Sequence, residues 1–199
     1  MKRFFKLFTL LSLISFSISV SAQEYTKKEM SAFTKAAEKE AKQATKKLEK
    51  EKWEYNGVGT LAKAYERYLL NTEDFGGTCE ARSYEINNAP NLRNGEKSLL
   101  NMAQSSYAQE NEAYLKLEQT AHSGQVDVTL EDNVVKALAQ FSGDIKRSFI
   151  VYKKNHNGTY NMRGYFIIDS NNTKAKIRKM ARELEDEAEL SKKIKSAVE

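Results

Sequence analysis

Apolar residues recur at steps of three and four from Met30 through Phe33, Ala37, Ala41 and Ala44 to Leu48, with Lys and Glu filling most of the positions between. This spacing predicts one long amphipathic helix. Alanine dominates its stripe and buries little area, so shallow docking is expected unless the neighbouring surface comes close. The many lysines between Lys27 and Lys52 raise the alternative of a membrane-surface helix, but such helices carry bulkier apolar residues. The run Trp53-Glu54-Tyr55-Asn56-Gly57 then marks a break. Leu61, Tyr65, Tyr68 and Leu69 predict a second helix, stopped by Gly76-Gly77. Trp53, the single tryptophan, reads as a buried anchor between the two helices rather than an exposed platform.

A period of two follows in "TCEARSYEI", where Cys79, Ala81 and Ser83 alternate with Glu80, Arg82, Tyr84 and Ile86. It predicts a strand over about 78–86 whose small-residue face receives a helix. After "NNAPN", with the only proline, a helix is expected from about Leu92 to Thr120, weakened near its start by Gly95 and ended by His122-Ser123-Gly124. A shorter helix carries Leu130, Val134, Leu138 and Phe141, opened by the Thr129-x-x-Asp132 pattern and closed by Gly143. A last, highly charged helix starts at Asn172 and places Ile177, Met180, Ala181, Leu184 and Ala188 on one side.

Between these helices, "FIVYKKNHNGTYNMRGYFII" sets Asn157-Gly158 amid two runs rich in β-branched and aromatic residues. That is a strong hairpin signal. With Asn157-Gly158 as the centre of a two-residue turn, His156 faces Thr159 and Phe149 faces Phe166. One apolar face would then hold Phe149, Val151, Met162, Phe166 and Ile168, while Lys153, Lys154 and His156 lie toward the solvated turn. The element order predicts an α+β fold: a small, largely antiparallel three-stranded sheet (about 78–86, 147–154 and 159–169) covered on one face by long helices. The organisation expected is a leader over 1–22, an N-terminal amphipathic helix over 23–56 and an α+β domain over 57–199.

The leader changes the picture of compartment. Lys2, Arg3 and Lys6 precede a largely apolar run from Leu7 to Val20, too short to span a bilayer, and Val20-Ser21-Ala22 supplies the small residues a signal peptidase needs. Cleavage between Ala22 and Gln23 is expected, giving a periplasmic or secreted protein with no transmembrane segment after processing. No cysteine stands near the cut to accept a lipid. Processing leaves 29 basic residues against 27 acidic ones, a near balance that speaks against nucleic acid as a partner.

Candidate chemistry is sparse. Cys79 is the only cysteine, which rules out an intramolecular disulfide, and it reads as a small buried strand residue rather than a nucleophile. One cysteine with His122 and His156 makes a poor zinc set, and no catalytic, metal or cofactor residue is assigned. His122 suits the C-terminal end of a helix, where the dipole favours a cation.

"KQATKKLEKEKWEYNG", "LAKAYERYLL", "TCEARSYEI" and "KRSFIVYKKNHNGTYNMRGYFIIDS" together resemble exported proteins of gut Gram-negative bacteria related to the LPP-twenty lipoprotein family, over most of residues 40–175. The resemblance implies an envelope location and a fold of helices and strands, and no assigned chemistry. Two function classes follow. The favoured one is a non-enzymatic binding or structural module that meets another envelope protein, or a second copy of itself, through its helices or sheet edge. The other is a periplasmic hydrolase-like enzyme using carboxylates with His122 or His156.

Overall fold

The structure is a computed structural model that describes residues 25–123, 144–179, 181–183 and 186. The leader and its processing site at Ala22 and Gln23, the helix expected around Leu130–Phe141, and Met180, Leu184 and Ala188 lie outside the described residues. Helix α1, Lys27–Lys50, begins in a capping box: the Thr26 hydroxyl accepts from the Glu29 amide at 3.3 Å, and the Glu29 carboxylate accepts from the Thr26 amide at 2.8 Å. Two alanines of its stripe are buried outright, Ala37 and Ala41 being 0% and 1% exposed, while Ala44 is half-buried beside the buried Thr45, and the helix packs on helix α2, Leu61–Leu70. Small side chains here let the two helix backbones come close. Helix α2 ends at Leu70 rather than at the glycines. The Thr72 hydroxyl donates to the Leu69 carbonyl at 2.6 Å, and a 3-10 turn, Glu73–Phe75, follows before Gly76 takes a left-handed φ of 79°.

Four strands form one antiparallel sheet, in the spatial order β1 (Glu54–Tyr55), β3 (Ile145–Lys154), β4 (Tyr160–Ile168), β2 (Glu80–Ala89). The three-stranded expectation misses β1, which at two residues is too short to show a period. Helix α3, Leu92–Ser123, follows β2, its start capped by the Asn91 side chain accepting from the Asn94 amide at 2.8 Å. Gly95 serves close packing there, since a Cβ on it would stand 2.0 Å from the Met162 sulfur on β4.

The hairpin forms, but one residue out of the expected register. Lys154 faces Tyr160 and Phe149 faces Tyr165, with a bulge at Ser148 before Arg147 meets Phe166. The loop is a turn over Asn155–Gly158, with the Gly158 amide donating to the Asn155 carbonyl at 3.1 Å, followed by Gly158 at φ 82° and the Asn155 amide bonded to the Thr159 carbonyl at 2.8 Å. This is the three-residue loop with a left-handed glycine, not the two-residue turn. Side chains hold it: Asn157 Oδ1 accepts from the Thr159 amide at 3.1 Å and hydroxyl at 2.7 Å, while the Asn155 amide group donates to Asn161 Oδ1 at 2.9 Å.

A one-residue slip moves side chains to the other face, and here both faces are apolar. Phe149, Val151 and Tyr165 point at α1, α2 and Trp53, whereas Ile145, Met162, Phe166 and Ile168 point at α3. The expectation of helices on one face is therefore corrected to helices on both. Phe149 and Phe166 are each buried, at 4% and 0% exposure, but in different cores. Phe149 stacks instead on Tyr165, with ring centroids 4.3 Å apart. Burial pushes the neighbouring Tyr65 phenol up to about 12 and raises that of Tyr68.

Strand β2 likewise reverses its expected faces. Tyr84 and Ile86 turn toward α3, with Tyr84 edge-on to Phe166 at 5.8 Å, and the small residues Ala81 and Ser83 are exposed. The period of two determines which residues share a face; burial goes to the face with more apolar area. Cys79 sits half-buried one residue ahead of the strand, in a bridge with Thr72, rather than buried within it. Helix α4, residues 170–179, meets α3 where Arg178 Nε donates to the Tyr114 hydroxyl at 2.9 Å, and its Ile177 is fully buried.

Candidate protein-binding edge

Strand β3 is ten residues long, and among the described residues a strand pairs with its outer side at only two of them. Glu54 pairs with Tyr152 and Tyr55 with Val151, after which no strand lies beside Arg147–Ile150 among the described residues. The brevity of β1 has a local cause. The chain leaves α1 through Lys52 at φ 63°, buries Trp53 at once, and turns away at Asn56-Gly57. Trp53 is held by its indole N–H, which donates to Glu51 at 3.1 Å, and by Lys153 and Arg163, which lie 4.4 and 4.8 Å from its ring centroid. Trp53 is buried, as expected, but the cations at its ring belong to the sheet, and it stands directly before β1.

A slot of about 310 Å³ opens along the uncovered stretch. Its floor is the β3 edge from Arg147 to Ile150. On one side stand Arg67 of α2, Phe149 and the Tyr55–Val58 turn, in which the Tyr55 hydroxyl donates to the Val58 carbonyl at 3.4 Å. On the other stand Leu92 and Glu96 of α3 with Ile150, Tyr152 and Met162. Residues of both helical layers thus flank this part of the strand edge. Val58, 89% exposed, stands at its mouth.

The charges on the two walls differ. On the α3 side Arg147 is already matched, its guanidinium 2.8 Å from Glu96. On the α2 side Arg67 is exposed and its Nε donates to the Lys63 carbonyl of its own helix at 3.3 Å, with no carboxylate in ion-pair range among the described residues. Burial, reinforced by the Glu54 carboxylate, raises the Tyr152 phenol, which remains a neutral donor at the slot's end.

The residues singled out for catalysis do not gather. His156 is exposed at the tip of the hairpin, with no carboxylate paired to it among the described residues. His122 lies within α3, next to the last described position of that helix, and the Gly124 stop expected after it lies outside the described residues. Among the described residues no group of three His, Cys, Asp or Glu is placed to hold a metal ion, and no helix is long and apolar enough to cross a membrane. Reading the sequence missed Arg67, Tyr55, Val58 and Arg147. The one local sign was the aromatic–polar–aromatic order of Trp53-Glu54-Tyr55 just before a glycine, which marks a strand cut short.

No family model, no curated protein and no solved structure matches the chain. The likeness to the LPP-twenty proteins accordingly rests on the sequence patterns alone.

Proposed function

We propose that the protein is an exported, non-enzymatic module of the cell envelope or the surrounding medium that binds another protein by taking an extended segment of it along the edge of β3. The observation that carries this reading is the slot along Arg147–Ile150, a stretch of β3 with no strand paired to its outer side among the described residues. Unpaired edge groups seek partners, and an added strand satisfies them while pockets on alternate sides read its side chains. The short apolar run behind Lys2, Arg3 and Lys6, and the likeness to envelope proteins, support the location.

End-blocked peptides that alternate valine with polar residues provide the test, with amide hydrogen exchange as the readout. Binding should slow exchange in Arg147–Ile150, and a proline at the centre of the peptide, which removes a backbone donor, should abolish the effect. Failure of every such peptide to protect the edge would overturn the reading. For location, N-terminal mass spectrometry of protein from the native cell should find a chain beginning at Gln23 outside the cytoplasm; an intact Met1 in the cytosol would sink that part.

A further inference from the structure

The two walls of the slot ask for different side chains. A strand laid along Arg147–Ile150 points successive residues alternately at α2 and at α3. Those aimed at α3 meet Leu92, Ile150 and Met162, a largely aliphatic surface on which the charged lining residues among those described, Arg147 and Glu96, already neutralise each other at 2.8 Å. Those aimed at α2 meet the rings of Tyr55 and Phe149 and the guanidinium of Arg67, which has no acidic partner among the described residues. A guanidinium offers five donors in a planar fork that fits a carboxylate. Resting on the strand-docking reading above, we infer that the segment the slot takes is acidic, with an aspartate or glutamate on the side facing Arg67 and aliphatic residues at the alternating positions facing α3.

This choice of partner differs from a second copy of the chain, whose own β3 carries Lys146, Arg147, Lys153 and Lys154 and would bring cations toward Arg67. Like charges drawn together at a docking edge discriminate against such pairing. The exposed setting of Arg67 keeps the preference moderate and sensitive to salt.

Three end-blocked peptides test the inference, identical in their alternate valines and differing at one position on the other side: glutamate, glutamine or lysine. Each is titrated against the full-length processed protein, with hydrogen exchange at Arg147–Ile150 confirming the site. The glutamate peptide should bind roughly two- to fivefold more tightly than the glutamine peptide and more tightly still than the lysine peptide, and raising the ionic strength should narrow the gap. In Arg67→Gln the preference should vanish. In Arg67→Glu it should invert in favour of lysine, with thermal midpoints near that of the parent because Arg67 is exposed. Equal affinity for all three peptides with the edge protected would overturn the acidic preference and leave strand docking standing. Absence of protection with any of them would overturn both. A dimer that protects the same amides without peptide would assign the edge to a second copy and overturn the inference.

Discussion

Glu80 ties strand β2 to helix α4 through one carboxylate. Its Oε1 accepts from the Ser170 hydroxyl at 2.5 Å and from Lys174 at 3.1 Å, both on α4, and its Oε2 from Arg82 on β2 at 2.8 Å. Partial burial by itself would raise its pKa, but the Ser170 bond and the charges of Lys174 and Arg82 outweigh that and lower it. A carboxyl with a depressed folded pKa contributes stability that is present above its unfolded value, about 4.3, and is lost as the pH falls through the folded value. Glu80→Gln should therefore be less stable than the parent at neutral pH, and the difference should shrink by about pH 3. Denaturant melts at the two pH values check this; an unchanged difference would assign the cost to packing instead. Phe166→Ala, which empties a site at 0% exposure, should cost roughly 3–5 kcal/mol. His156→Ala at the exposed hairpin tip should stay within about 0.5 kcal/mol in the same melts. The contrast between these two residues was legible in the sequence, because it depends only on distance from the Asn157-Gly158 turn. Which core Phe166 enters was not, because that depends on the register.

Elements with a long period were the readable ones. Helices α1 and α3 came from stripes sustained over many turns, whereas β1 offered two residues and no stripe. The hairpin is intermediate: Asn-Gly announced it, but the choice between a two- and a three-residue loop is made by Asn155, Asn157 and Thr159, whose mutual bonds sequence spacing does not reveal. Apolar residues on both faces of β3 and β4 removed the usual arbiter of register. Gly158 tests the loop on its own. At φ 82° with nothing within 4 Å of the position a Cβ would take, its replacement is penalised by backbone conformation alone. Gly158→Val should cost at least about 1 kcal/mol and Gly158→Asn clearly less, since Asn tolerates the left-handed region. Equal stability of Val and Asn at that position would reject the assigned turn. The α1–α2 seam offers the converse case, where space is the limit: Ala41→Leu should destabilise by roughly 1–3 kcal/mol, because the 1% exposed alanine sits where two helices approach closely.

At the scale of the molecule, central strands β3 and β4 packed on both faces make α1 more than an appendage. Trp53, Leu48, Ala41 and Ala37 belong to the same buried cluster as Leu61, Tyr68, Phe149 and Tyr165, so the segment 25–56 supplies one wall of a core that α2 alone does not close. It also supplies β1 and the start of the turn that bounds the slot. From sequence alone the segment reads as an extension, because an alanine stripe does not announce how closely its partner approaches. A chain beginning at residue 57 tests the point. Removing the first wall would leave Leu61, Tyr68, Leu69 and Phe149 facing water, an apolar area that a chain with a single cysteine is poorly placed to tolerate. The truncated chain should keep far-ultraviolet helix signal, lose near-ultraviolet signal from the tyrosines around Phe149, bind a hydrophobic dye and melt without a sharp transition. The β3 edge should then exchange its amides freely and bind no strand peptide. Sharp, cooperative unfolding of the truncated chain at the parent's midpoint would show that α2, α3 and the sheet suffice, and would return α1 to the status of an extension.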